Sequence, residues 1–222
     1  MAWALVEPNG FGELFPYGDQ VGWDEQIKRY FDEELSAEQR AAFNNWDVSF
    51  RERVSRKFTQ NLGPLEPHER PSEFRLGETR KSIGSLILLP NRLLAVDATL
   101  KEIIEGLEPG VHQFWPMKIS MPKGKEYPVA YFGMIICRFI DSFIPDQSTG
   151  YLAHEGADTY GANSPLKKDY SGLTVSRQVT AGAHLWRERR LLSPNIFLSN
   201  ELQAELIRQG LRIFKNHQLK EI

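Results

Sequence analysis

Cysteine is almost absent: Cys137 is the single thiol in 222 residues. One thiol excludes an internal disulfide and a cysteine-rich metal cluster. Long hydrophobic runs are missing too, and none approaches the roughly 20 residues that a bilayer-spanning helix needs. The opening MAWALVEPNG has no basic start, and its apolar run stops at Glu7, so it does not read as a secretory signal. These absences predict a cytoplasmic protein with no membrane association. Positive charge is not in excess either. The 27 Lys and Arg against 29 Asp and Glu give a net charge of −2, and the pI is near 6.2. A global basic field for nucleic acid is therefore excluded.

Catalytic signatures are equally scarce. There is no GxxxxGKS or GxGxxG phosphate loop, no HExxH and no GxSxG elbow. The five histidines (His68, His112, His154, His184, His217) lie far apart in the chain, so a metal site would have to be assembled across the fold. Cys137 sits in YFGMIICRFI, where a thiol is expected to act as a small buried hydrophobe rather than a nucleophile. The expectation is a non-enzyme with no metal and no cofactor.

What is present is an ordinary globular composition, 41% hydrophobic and 25% charged. The length suits one domain over residues 1–222 with a substantial core. Charge is uneven along it. Residues 1–50 hold ten acids (Glu7, Glu13, Asp19, Asp24, Glu25, Asp32, Glu33, Glu34, Glu38, Asp47) against three bases (Lys28, Arg29, Arg40). Residues 1–62 read as an acidic, mainly helical N-terminal segment, and residues 74–222 as an α+β body.

Residues 1–22 are turn-rich, with Phe11, Tyr17 and Trp23 expected to pack on the body. A helix is predicted from Asp24 to about Leu35. Ser36 and Gln39 form a capping-box pattern that opens a second helix, whose stripe runs through Phe43, Trp46, Phe50, Val54 and Phe58. Three prolines between Pro64 and Pro71 mark an extended connector. Then LLAVDATLKEIIEGLEPGVHQFWPMKI reads as strand, capped helix and strand. Asp97 is the cap, Leu100, Ile103, Ile104 and Leu107 form the apolar face, and Pro116 belongs at an edge or bulge. Tyr127 to Ile140 is the strongest strand signal, and with the preceding strand it predicts a hairpin. Residues 145–172 read as a long surface loop with a short strand near Tyr151. A blurred copy of the strand–helix unit follows in NIFLSNELQAELIRQGLRIFKNHQL. Asp97 aligns with Ser199, Leu100 with Leu202 and Ile104 with Leu206, and LRIF returns as a strand. The fold class expected is α+β, a mixed or mostly antiparallel sheet covered by helices, with a helical N-terminal segment.

Three clusters carry possible chemistry. HEGAD places His154 beside Glu155 and Asp158, a potential acid–base group or a solvated turn. WRERRLL sets Arg187, Arg189 and Arg190 beside Trp186, a short patch that can stack on and pair with RNA. RERVSRK surrounds the Phe50–Val54–Phe58 stripe and reads as the flank of a core face.

The stretches LLAVDATLKEIIEGLEPGVHQFWPMKI and HLWRERRLLSPNIFLSNELQAELIRQGLRIF together resemble the bacterial "immunity protein eleven" family of polymorphic-toxin and contact-delivered (type VI secretion) systems. The shared features are a strand entering a capped helix, an LEPG corner, an aromatic strand, a late HL-W segment and an S-N-E-L helix opening. The resemblance covers roughly residues 74–120 and 183–214. It implies a protein that binds and neutralises a cognate toxin in the cytosol, through surface complementarity alone. Two surfaces are candidates for that contact: the acidic segment with Asp24, Glu25, Asp32, Glu33, Glu34 and Glu38, and the loop Pro145 to Gly172 with His154, Glu155 and Asp158. The expected partner is a protein toxin rather than nucleic acid, with a homo-oligomer left open. The rival readings are a hydrolase that reverses a toxin's covalent modification through His154, Glu155 or Asp158, and a nucleic-acid-binding module that uses the three arginines.

Overall fold

The short apolar run at the beginning of the chain is a strand, Ala2–Leu5. It lies antiparallel between Ile196–Ser199 and Asn216–Gln218. This corrects the expectation of a helical N-terminal segment. Small Ala2 and Ala4, 1% and 0% exposed, let the strand sit inside a sheet that turn chemistry did not announce. Helices start only at Trp23. The structure, a computed structural model, describes all residues except 45–48, 155 and 157, and its class is α+β with mixed sheets. Trp46 of the expected helical stripe lies outside the described residues.

The chain packs as two compact units. The first, the terminal unit, combines Met1–Asn9, Glu102–His112 and Ile136–Ile222. Its main sheet runs Asn216–Gln218, Ala2–Leu5, Ile196–Ser199, Leu185–Glu188, Phe139–Ile140. All neighbours are antiparallel except the last pair. Pairing sets Trp186 opposite Phe197, so their side chains share a face and stack with centroids 5.7 Å apart. Around them Phe143, Tyr170, Leu173, Val175 and Leu191 complete the core. Residues 145–172 are more regular than a loop. They hold the strands Tyr151–Ala153 and Tyr160–Ala162, paired with each other and with Leu191–Ser193, and a helical turn Lys167–Tyr170.

The second, the central unit, is Gly10–Lys101 with Gln113–Ile135. Its six-stranded sheet runs Gly18–Gln20, Glu73–Leu76, Gln113–Ser120, Tyr131–Ile135, Leu94–Asp97, Leu86–Leu88. Only the pair Glu73–Leu76 with Gln113–Ser120 is parallel. The expected hairpin between Gln113–Ser120 and Tyr131–Ile135 is present. Pro116 is tolerated because Glu73 pairs with Lys118, two residues further on, so the amide that proline lacks would face beyond the neighbouring strand. Helix Trp23–Arg29 buries Trp23 and Ile27, and the Trp23 indole donates to the Glu69 carbonyl at 2.8 Å. A π-helical turn, Tyr30–Glu34, follows, and Ser36 and Gln39 then exchange both capping-box bonds, at 2.8 and 3.1 Å. Phe11 and Tyr17 are 64% and 55% exposed and pack on each other, with the Tyr17 ring lying against Gly77 of the body.

The repeated unit is real in both copies. Leu94–Asp97 leads into helix Ala98–Leu107, and Ile196–Ser199 into helix Asn200–Arg208. Asp97 Oδ1 accepts from the Leu100 amide at 2.8 Å, and Ser199 Oγ from the Leu202 amide at 3.1 Å. Each strand has antiparallel neighbours on both sides. Gly110 and Gly210 both take the left-handed conformation after their helices, φ 71 and 63. The copies then diverge. LRIF is irregular, and the returning strand begins only at Asn216.

The strand expected over Tyr127 to Ile140 is shorter, Tyr131–Ile135. Cys137 lies beyond its end and is exposed, not buried. The cause is local: the Cys137 amide is taken by His112 Nδ1 at 3.3 Å instead of by a sheet neighbour.

Candidate functional site

The acidic stretch is a continuous exposed surface of the central unit. Asp24 and Glu25 lie in helix Trp23–Arg29, Asp32, Glu33 and Glu34 in the π-helical turn, and Glu38 at the start of helix Ala37–Asn44. All six are exposed. Asp24 pairs with Arg51, and Asp32 with Lys28. Glu25, Glu33, Glu34 and Glu38 have no ion-pair partner among the described residues. These four carboxylates on neighbouring turns give the surface a negative character, with Lys28, Arg29 and Arg40 interspersed among them.

The HEGAD cluster is arranged differently. Asp158 is held by Arg190 at 2.7 Å and accepts from the Tyr160 hydroxyl at 3.1 Å. The Arg190 bond, with help from Tyr160, keeps its carboxyl below the usual range. His154 is exposed, and its backbone amide closes the turn on the Thr159 carbonyl at 2.9 Å. Glu155 lies outside the described residues. The basic patch disperses as well. Arg187 is 1% exposed and bonds Asn195, while Arg189 pairs with Asp141 at 3.7 Å. In RERVSRK, Arg51 pairs with Asp24, Arg56 with Glu52 at 3.0 Å, and Lys57 with buried Glu69 at 2.7 Å.

Two buried carboxylates of the terminal unit went unnoticed in the sequence. Glu108, 3% exposed, receives His112 Nε2 at 2.8 Å, the Leu185 and His184 amides at 2.9 and 3.0 Å, and Arg138 at 3.2 Å. Because His112 Nδ1 accepts from Cys137, its proton is on Nε2, facing the carboxylate. Burial opposes ionisation of Glu108, but His112 and the His184 amide outweigh it, so the carboxyl titrates below its usual range. Glu188, also 3% exposed, receives the Ser142 amide and hydroxyl at 2.8 and 2.6 Å and the Arg190 amide at 3.2 Å. Burial dominates there and pushes its carboxyl up. The one sequence trace of the first cluster is the four-residue spacing of Glu108 and His112 across Pro109-Gly110. Both clusters join backbone to backbone, the arrangement of structural latches. Among the described residues no group of three or more His, Cys, Asp or Glu is placed to hold a metal ion, and no helix is long and apolar enough to cross a membrane.

The sequence model of the immunity protein family (Imm11) matches residues 23–220. The chain belongs to that family. The match begins at Trp23, the first residue of the acidic helix, and takes in both copies of the strand–helix unit and both buried latches. No curated protein matches the chain.

Proposed function

We propose that this Imm11 protein binds a cognate bacterial toxin in the cytosol and blocks it by direct cover, without chemistry of its own. The observation that carries this reading is the exposed acidic stretch, in which Glu25, Glu33, Glu34 and Glu38 have no internal counterion among the described residues. Such a surface serves no evident purpose for stability and suits a toxin with a basic contact face, as on a nuclease, where carboxylates occupy the places of phosphates. His154 and Asp158 on the terminal unit are a second proposed contact. The hydrolase reading is disfavoured because Asp158 is committed to Arg190 and Tyr160 rather than paired with His154. The nucleic-acid reading is disfavoured by the burial of Arg187 and the pairing of Arg189 and Arg190 with carboxylates.

The test uses, in inactivated form, a toxin polypeptide identified by its copurification with this chain. Stopped-flow association with wild type and with E33K/E34K is followed from low to moderate salt. The double reversal is expected to weaken binding by about tenfold and to flatten the salt dependence of the on-rate. Unchanged affinity and salt slope would remove the acidic stretch from the contact.

A further inference from the structure

The strand Asn216–Gln218 is the outermost of the terminal unit's main sheet, and among the described residues its one neighbour there is Ala2–Leu5. Three residues with a single neighbour make it the easiest part of that sheet to open. The ladder is closed at its two ends by the Leu219 amide on the Ala2 carbonyl, 2.9 Å, and by the Val6 amide on the Lys215 carbonyl, 2.7 Å. At its centre lies His217, opposite Ala4. This residue is 6% exposed, and its Nε2 is buried with no hydrogen-bond partner among the described residues. Buried polar atoms in native structures are nearly always bonded, so an unpaired titratable nitrogen inside an edge strand calls for a reason.

The groups around the ring are uncharged or positive. From the helical turn Lys167–Tyr170, the Tyr170 ring lies 5.4 Å away, centroid to centroid, and Lys167 adds a positive charge. Lys215, two residues before His217, adds another. Strand Ala2–Leu5 sets the apolar Ala4 opposite it. Asp169 is bonded to Ser164 Oγ, and Glu7 acts on the Tyr170 hydroxyl; neither carboxylate offsets the lysines at His217. A neutral imidazole with its proton on Nδ1 tolerates this site, because Nε2 is then a bare acceptor. An imidazolium carries a proton on both nitrogens, and Nε2 becomes a charged donor facing nothing. Burial first, and the two lysines after it, hold the ring's proton affinity below its ordinary range. The charged form gains water when the strand lifts from Ala2–Leu5.

We infer that His217 is an acid-sensitive fastener of the terminal unit: protonation of its ring releases strand Asn216–Gln218 from Ala2–Leu5 and opens that edge of the sheet in mild acid. The device does not depend on the toxin-binding reading above. Its sign follows from linkage. The released ring takes up a proton at its ordinary value of about 6.5, the fastened ring only at a lower pH, so the closed strand is favoured above about 6.5 and loses that advantage as pH falls. Amide hydrogen exchange on the full chain, divided by the intrinsic rates, gives opening constants at Val6 and Leu219. The ratio of wild-type to H217Q opening constants rises about tenfold from pH 7 to pH 5. A ratio that ignores pH overturns the inference. Should H217Q not fold, the wild type decides alone. Its His217 ring resonances remain those of neutral imidazole at pH 6, and a ring that protonates at about 6.5 while both amides stay protected overturns the inference equally.

Discussion

Truncation of Glu108 tests whether a buried carboxylate latches the terminal unit. In E108A the amides of His184 and Leu185 lose the carboxylate oxygens they donate to, at 3.0 and 2.9 Å, and the His112 Nε2–H loses its partner at 2.8 Å. Each buried donor left unpaired costs about 1–3 kcal/mol. Removing one partner of a buried pair costs about 3–5 kcal/mol. The Glu108 side chain is only 2% exposed, so solvent screening offsets little of this. The expected destabilisation of E108A at neutral pH is about 4 kcal/mol, and of E108Q, which keeps one oxygen, about 2 kcal/mol. Urea unfolding followed by tryptophan fluorescence should show lower midpoints with an unchanged slope. The pH dependence has a definite sign. A carboxyl held below its unfolded value of about 4.5 contributes stability above that pH and loses it as pH falls through the folded value. The gap between wild type and E108Q is therefore full at neutral pH and closes on acidification. An E108A protein within about 1 kcal/mol of wild type, or a gap that ignores acid, would refute the latch.

Glu188 should behave in the opposite sense. Its carboxyl is pushed up by burial, so the stability it confers is present at low pH and fades as pH rises through the raised value. E188Q should therefore gain melting temperature relative to wild type as pH rises above the usual carboxyl range, and a constant difference would contradict this. D97A and S199A each remove one cap bond, at 2.8 and 3.1 Å, and should each cost about 1 kcal/mol in chemical unfolding, with nearly additive losses in the double variant. G133A places a methyl against the indole of Trp115, its cross-strand partner, which is 5% exposed and bonded to the Pro71 carbonyl at 2.7 Å. With the ring unable to move aside, the cost should be about 1–3 kcal/mol, and a neutral variant would show that the ring is free to shift. Cys137 should react with a thiol reagent in the native protein as fast as an exposed thiol. Reaction only after unfolding would contradict its exposure.

Local signals were legible in the sequence. The Ser36 and Gln39 exchange, the caps at Asp97 and Ser199, and the glycine stops at Gly110 and Gly210 all depend on residues within a few positions of one another. Binary patterning also placed Leu100, Ile104, Leu202 and Leu206 correctly as buried, whereas Ile207, expected on the same inner face as Leu202 and Leu206, is 68% exposed. Features made by distant partners were not legible. Ala2–Leu5 is too short to read as a strand until Ile196–Ser199 and Asn216–Gln218 flank it. Cys137 belonged by apolarity to a core strand, and a histidine 25 residues upstream ends that strand before it. Glu108 resembled a corner residue because three of its four partners lie beyond residue 137. The acidic stretch was readable as charge, but its exposure and its pairing were not: Arg51 takes Asp24 and Lys28 takes Asp32, leaving Glu25, Glu33, Glu34 and Glu38 without an ion-pair partner among the described residues.

The strand at Ala2–Leu5 also sets an order of events during synthesis. Trp3 sits between Leu198 and Gln218, so neither neighbour of the strand exists until the ribosome has passed those residues. The central unit needs nothing beyond Ile135 and can close while its companion is still being translated. Closing the other sheet then joins Ala2–Leu5 to Ile196–Ser199 and Asn216–Gln218, a loop-closure step of high contact order. A prematurely terminated product would carry the acidic helix on a folded support but leave Trp186 and its sheet unmade.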